Sequence, residues 1–507
     1  MKETKVRGPL KPATAAKPAR RRVSAPWWLA CIVAVVAVSA LGYWGIARSR
    51  QAAYLARLPQ LPELSNQPSA IRAHLADADR AARAAPMSST AVGALGLAYH
   101  ADLFYDQAAR CYAIAETLDR SEWRWTYYRA LALDGRGDMQ GLVAGFRVVV
   151  RAAPDFSPAS WRLADAEFKA GRYEVAGETW RRVMSLPEPA RPTASDGTPA
   201  RAITAPVSAY AALGLARVAL AQSDADKARS ILEEITATRP RFGPAFRLLG
   251  TAYSELNRSE DASRAIRTAD RLPAYDPYFD PTIETLVRES RSSTFLLQQA
   301  AVADLSTNAP WREYLVRRAL GFDPENTDAL YELASILRTL RRYDEALELL
   351  ERHRRLVPGD LLALADIGRC LSGLGRLPEA EAVLRRALDG HDDASTRYDL
   401  GFVLDRAGRS GEAVVQYQLA LRLNPHHKDA LNNLGVDLAR SGRMPDAART
   451  FDRLTAIDPD NAEAHTNLGA VLLAQGARER AAQEFRAALE ISPDHARARD
   501  GLRQLER

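Results

Sequence analysis

Residues 424–491 carry one passage twice, offset by 34 residues. Pro425 and Pro459, Asn433 and Asn467, Leu434 and Leu468, Gly435 and Gly469, Gly442 and Gly476, Ala447 and Ala481, and Phe451 and Phe485 pair off at that spacing. A fixed period of this length constrains the fold more than any composition figure, because it means one supersecondary unit used repeatedly. Each unit holds two amphipathic segments at helical spacing. In the first, Leu434 and Gly435 stand where a neighbouring helix must come close. In the second, Ala447, Phe451 and Leu454 fall at i, i+4 and i+7 and form one stripe. Gly442 ends the first helix, and Pro459 opens the next unit, where a missing N–H costs nothing. One such helix pair cannot bury its own apolar faces, so the units must come in runs.

The twelve-residue offset between the small residue of the first helix and the alanine of the second recurs upstream. Ala334 with Ala346, Gly368 with Ala380, and Gly401 with Ala413 extend the last run to five units, with one step shortened to 33. Ala216 with Ala228 and Gly250 with Ala262 make a run of two. Gly96 with Ala108, Ala130 with Leu142, and Ala164 with Ala176 make a run of three. A degenerate eleventh unit is expected at 293–320, where Trp311, Leu315 and Ala319 form a second-helix stripe. This pattern resembles the tetratricopeptide repeat (TPR) family over most of residues 69–507. The resemblance implies an all-α helix-turn-helix solenoid of ten to eleven repeats, whose first helices line a concave, protein-binding surface.

The net charge of +6 is unevenly placed. Residues 1–57 carry eleven Lys/Arg against Glu3 alone, and the remaining 450 carry 58 basic and 62 acidic side chains. The repeats are therefore slightly acidic, and nucleic acid is not expected as a partner. The basicity brackets residues 27–47, an uncharged run of 21 residues. As a helix it would span roughly 30 Å, the thickness of a bilayer core. Trp27 and Trp28 mark one interface, Tyr43 and Trp44 the other. The heavier positive flank precedes the run, which places the N-terminus in the cytoplasm and the repeats beyond it. Val38-Ser39-Ala40 resembles a signal-peptidase site, which would instead release a secreted protein. The apolar character continues to Ile46, favouring a retained anchor.

The expected organisation follows. Residues 1–25 form a disordered basic tail, 26–47 a transmembrane helix, and 48–68 a proline-containing linker that spaces the array from the bilayer. A capping helix beginning at Ser69 and the first repeats occupy 69–185. Residues 186–205 are a loop insertion, 206–272 the next repeats, and 273–292 a Pro/aromatic connector read as a packed joint, or else as a partner-contacting loop. Residues 293–507 hold the degenerate repeat, the five regular repeats and a C-terminal capping helix.

No enzyme is expected. The chain has no P-loop, GxSxG, HExxH or strand-linked GxGxxG motif. Cys31, Cys111 and Cys370 form no CxxC and are read as small buried apolar residues. His426 and His427, the one close histidine pair, fall in a turn before a helix and are read as solvated. Neither metal nor cofactor is expected. Tyr99, Tyr105 and Tyr112 are read as packing positions, and Trp123 and Trp125, at a turn, as candidate exposed contacts.

The most informative polar feature lies two residues before the small residue of each first helix. In the last five repeats that position holds Glu332, Asp366, Asp399, Asn433 and Asn467. The resemblance would make these a ladder along the groove, able to hold an extended peptide backbone, with the acidic members favouring a basic ligand. The equivalents upstream are Ala94, Tyr128, Arg162, Gly214 and Leu248, so the ladder stops there. The carboxylate-clamp variant of the family needs Asn just after the first glycine, where this chain has Phe402, Val436 and Ala470. The expected function is a membrane-anchored scaffold that binds proteins or extended peptides outside the cytoplasm, in assembly of envelope complexes. The alternative is a substrate-binding adaptor for a separate glycosyltransferase-type enzyme.

Overall fold

The computed structural model describes residues 27–190, 198–199, 201–202, 205–273 and 278–506. The basic tail, half of the 186–205 insertion, and Tyr275 of the connector lie outside them. Every element among the described residues is a helix. The chain opens with α1 (Trp27–Arg57) and α2 (Ser69–Ala84). Three hairpins follow: α3 (Ser89–Ala101) with α4 (Tyr105–Leu118), α5 (Trp123–Gly135) with α6 (Met139–Ala152), and α7 (Ser157–Lys169) with α8 (Tyr173–Val183). Two more are α9 (Val207–Ala221) with α10 (Ala225–Thr238) and α11 (Gly243–Glu255) with α12 (Ser259–Asp270). After the connector come α13 (Pro281–Glu289) and the pair α14 (Ser293–Ala301) and α15 (Leu305–Phe322). The five regular repeats are α16 (Thr327–Thr339) with α17 (Tyr343–Leu356), α18 (Leu361–Gly373) with α19 (Leu377–Gly390), α20 (Ala394–Arg406) with α21 (Ser410–Leu423), α22 (Lys428–Arg440) with α23 (Met444–Ile457), and α24 (Ala462–Ala474) with α25 (Arg478–Ile491). The chain closes with α26 (Ala496–Leu505).

The repeat chemistry is visible at three recurring positions. The first is the small residue of the first helix. A Cβ on Gly435 would stand 2.6 Å from the Phe451 ring, and one on Gly469 2.8 Å from Phe485, so glycine is what lets the second-helix aromatic seat. Gly96 with Tyr112 and Gly401 with Tyr417 repeat the arrangement, and Leu384 and Ile266 fill the same place over Gly368 and Gly250. Ala108, Ala262, Ala380, Ala413, Ala447 and Ala481 are all buried behind them. The second is the turn, where Gly375, Gly408, Gly442 and Gly476 adopt φ of +77° to +79°. The third is the helix N-cap, held in turn by Asn326, Asp360, Asp393, His427, Asn461 and His495, each accepting a backbone N–H from the first turn.

Both ends are covered. Ile71, Leu75 and Ala82 of α2 are buried against the first repeat, and Ala498 of α26 against the last. In the pair α14–α15, Trp311, Leu315 and Ala319 are buried, and α15 is kinked at Asn308, just before Pro310.

The N-terminal helix does not stop at Ala47 but runs to Arg57, leaving only residues 58–68 as linker. Its foot is docked, since Leu58 is buried and Arg83 donates to the Pro59 carbonyl at 2.9 Å. Its upper half is bare: Val35, Val38, Leu41, Tyr43 and Ile46 are each more than half exposed and point to several sides of the helix. Among the described residues no helix is long and apolar enough to cross a membrane. The side chains of residues 27–30 and 33, which belong to the apolar run, are outside the described set.

Candidate functional site: two grooves on one array

Successive first helices of the last five repeats touch one another, α18 with α20, α20 with α22 and α22 with α24. Their sides form one face of the array. The five ladder residues lie on these helices, and each is bonded to another side chain. Arg312 donates to Glu332 from Nε at 2.7 Å. Asp366, almost fully buried, accepts from the Tyr331 hydroxyl at 2.8 Å and from Arg369 at 2.7 Å, with Arg338 at 3.2 Å. Arg369 also donates to Asp399 from Nε at 2.6 Å, tying two repeats together. Asn433 donates to Tyr398 at 3.4 Å and to Tyr417 at 3.5 Å. Asn467 donates to Asn432 at 3.3 Å and accepts from Arg497 at 3.0 Å.

The ladder is therefore a chain of bonds between neighbouring repeats. Burial pushes the Asp399 carboxyl up to about 6 in spite of Arg369. Burial works against the Arg369 charge, but Asp399 and Asp366 outweigh it and raise its pKa above the usual value. The expectation of a basic ligand assumed open carboxylates, and the structure closes each of them with an arginine. Arg312, Arg338 and Arg369 were missed from sequence because they stand at different registers of their helices, so no period marks them.

The N-terminal groove is different, because the chain fills it. Tyr278, Phe279 and α13 lie along the first helices α3, α5 and α7. Tyr278, Phe279, Asp280, Thr282 and Glu284 are buried. Asp280 Oδ2 accepts from the Tyr127 hydroxyl at 2.7 Å and from Arg162 Nη2 at 3.2 Å, while Oδ1 caps α13 through the Thr282 N–H at 3.0 Å. Ser290 donates to the Ala101 carbonyl at 2.9 Å, and Asp102 accepts the Arg291 N–H at 2.8 Å. Burial, above all, pushes the Tyr127 hydroxyl well above its usual range. Arg162 occupies the ladder register of its repeat, so the one charged member of that register upstream is committed to an internal carboxylate. The described part of the connector from Tyr278 on is thus packed against the first repeats.

The remaining candidates are structural. His427 accepts the Ala430 N–H at 3.3 Å as a helix cap. Trp125 donates to Ser89 at 2.8 Å, and Trp123 packs on Phe156 with ring centroids 4.8 Å apart; both are part-buried and line one cavity with Thr282 and Thr285. Tyr99 and Tyr112 are fully buried. Cys111 and Cys370 are buried, and burial pushes both thiols up to about 12. Cys31, by contrast, is exposed, because it belongs to the uncovered part of α1. Among the described residues no group of three or more His, Cys, Asp or Glu could hold a metal ion.

Family models described as tetratricopeptide repeat match residues 325–391, and in overlapping segments 365–428, 398–462 and 432–496. No curated protein matches the chain. Similar solved structures include YrrB, a TPR protein with an unusual peptide-binding site, at 24% identity over 37% of this chain and 97% of that one, with a TM-score of 0.31. Yeast Tom70 is 14% identical over 82% of this chain and 95% of its own, with a TM-score of 0.36. A chain of the APC/C hetero-tetramer Cut9–Hcn1 is 14% identical over 81% of this chain and 94% of its own, with a TM-score of 0.39.

Proposed function

We propose that this protein is a membrane-anchored interaction scaffold. The C-terminal repeats bind extended segments of partner proteins on their inner face, and residues 27–47 hold the array to a bilayer. The observation that carries the binding role is the contrast between the grooves: one is filled by residues 278–292, and the other is held rigid by its ladder and left open. A pre-organised groove loses little conformational freedom when a segment enters it. The anchor is supported by the bare apolar surface of α1, since a helix apolar on all sides is stable only inside a protein or a membrane. The basic residues before it favour an N-terminus in the cytoplasm of a bacterial inner membrane, with the repeats in the periplasm. There the array would bring envelope proteins together.

Two experiments test this. Alkaline phosphatase fused after Arg507 is expected to be active in a Gram-negative host, and fused after residue 25 inactive; the reverse pattern overturns the topology. A photo-crosslinking amino acid at Phe402, on the inner face, is expected to give discrete adducts in membranes, and one at Val415, on a second helix, none. Equal labelling from both sites would remove the groove from the argument.

A further inference from the structure

Between α16, α18 and α20 the open groove deepens into a cavity of about 450 Å³ lined by Arg338, Arg341, Arg369 and Arg406, with Tyr398 and Phe402 on its wall. Arg338 and Arg369 are committed to Asp366 and Asp399. The other two are not: Arg406 donates to the Ser372 carbonyl and lies 5.9 Å from the Phe402 ring centroid, and Arg341 has no carboxylate partner among the described residues. The cavity thus carries two guanidiniums beyond those its own carboxylates neutralise. Phe402 is 40% exposed beside them.

Arg341 is also held at a backbone cost. It has φ +60° at the turn position where the next four repeats have glycine and where Leu103, Ser223 and Asn257 of earlier repeats also take positive φ. A side chain there is strained, and the array carries that strain in four repeats. The packing around Arg341 does not demand an arginine, since its side chain is exposed. The other groove shows what this array accepts. There a buried carboxylate, Asp280, preceded by two aromatics, sits against one arginine and one tyrosine, Arg162 and Tyr127. Tyr398 stands at the same register of its repeat as Tyr127, with the surplus arginines in the same cavity.

We propose that this cavity docks an extended acidic segment of a partner protein, its carboxylates on Arg341 and Arg406 and an aromatic or aliphatic side chain against Phe402. The proposal rests on the reading of the C-terminal groove as the binding face, and it names the partner's chemistry. Charge-assisted bonds to guanidinium supply both affinity and selection against basic segments.

The test uses the full chain in detergent and fluorescent octapeptides with one Phe among Asp and Glu, the same peptide with Asn and Gln, and the same with Lys. A dT oligonucleotide of matching charge serves as a further probe. The acidic peptide is expected to bind best, and less tightly as salt rises. Arg341→Gly and Arg406→Leu should each weaken it about tenfold or more. Arg341→Gly should at the same time raise the melting temperature, because glycine relieves the turn, so its loss of binding cannot be a loss of folding. Acidic and neutral peptides binding alike, an unchanged affinity in both variants, or tighter binding of the oligonucleotide would each overturn the acidic assignment. If the Lys peptide binds and crosslinks through Phe402, the groove reading stands and only its chemistry fails. If no peptide crosslinks there, both fail.

Discussion

The two ends of this array share a backbone plan and differ in what their inner faces do. In the first repeats the ladder register holds Ala94, Tyr128 and Arg162, and the chain's own residues 278–292 cover it. In the last five it holds acids and amides that bond repeat to repeat, and among the described residues no segment is packed along it as 278–292 is upstream. The difference is one of where polar groups find partners. A buried carboxylate must be paired wherever it sits. Upstream, the pairing brings in a segment from a distant part of the sequence, Asp280 reaching Tyr127 and Arg162. Downstream, it links adjacent first helices and leaves the surface clear.

The largest expected effect breaks the downstream pairing. Arg369→Leu leaves Asp366 and Asp399 without the guanidinium they share, and should destabilise the C-terminal repeats by about 3–5 kcal/mol in urea unfolding. Protection from amide exchange should fall in α16–α22 and hold in α3–α8. Uniform loss across the chain would mean that the two faces are not separately organised. Asp280→Leu is the converse: about 3 kcal/mol, with new proteolytic cleavage confined to 278–292. If that segment stays protected, the Asp280 contact is not what holds it in the groove.

Much of this was legible in sequence, and the reason is the repetition. Gly435 and Phe451 are read as partners because Gly469 and Phe485 recur at the same spacing, and one repeat's packing then stands for all. The same logic placed Glu332 through Asn467 on one face. It could not supply their partners, because bonds such as Tyr331 to Asp366 and Arg369 to Asp399 join residues 35 and 30 apart. Those bonds depend on how far each repeat turns relative to the last. Residues 278–292 have no period, so the pattern marked them only as a break. His427 was read as solvated because nothing in a single histidine distinguishes it from a loop residue. The column Asn326, Asp360, Asp393, His427, Asn461 was in the sequence and would have identified it as a cap.

A smaller effect separates the two regions by pH. Asp437 stands where the other four repeats have Ile336, Cys370, Val403 and Val471, all buried. Burial first, and the neighbouring Asp405 second, push its carboxyl up to about 6, and Arg440 at 3.2 Å offsets this only in part. The native state then holds a proton that the unfolded chain, titrating near 3.8, releases, so this group's contribution to stability falls as pH rises from about 4 to 6. Asp437→Val should stabilise by about 1–2 kcal/mol at pH 7 and by less at pH 4. His100 in the first repeat has the opposite sign. Burial lowers its pKa from 6.5 to about 3, so the unfolded chain takes the proton first and stability is lost as pH falls below about 6.5. A His100→Leu variant should gain on the parent chain towards acid, and Asp437→Val towards neutrality. Parallel pH profiles for the two variants would refute this opposition.

The smallest effect lies where the two regions meet. Arg267 reaches Asp460 at 3.0 Å, and Arg271 reaches Asp458 at 3.0 Å, joining α12 to the turn before α24 across nearly 190 residues of sequence. These side chains are partly or well exposed, and such pairs contribute about 0–1 kcal/mol and weaken with salt. Asp460→Asn should therefore leave stability almost unchanged at moderate ionic strength. Its use is as a probe of whether filling one groove is felt in the other. If the contact merely touches, peptide affinity at the open groove will be the same in Asp460→Asn as in the parent at every salt concentration. A salt-dependent difference in affinity would show that the curvature of the open groove is set in part by this distant pair, and the two faces would then be coupled halves of one device.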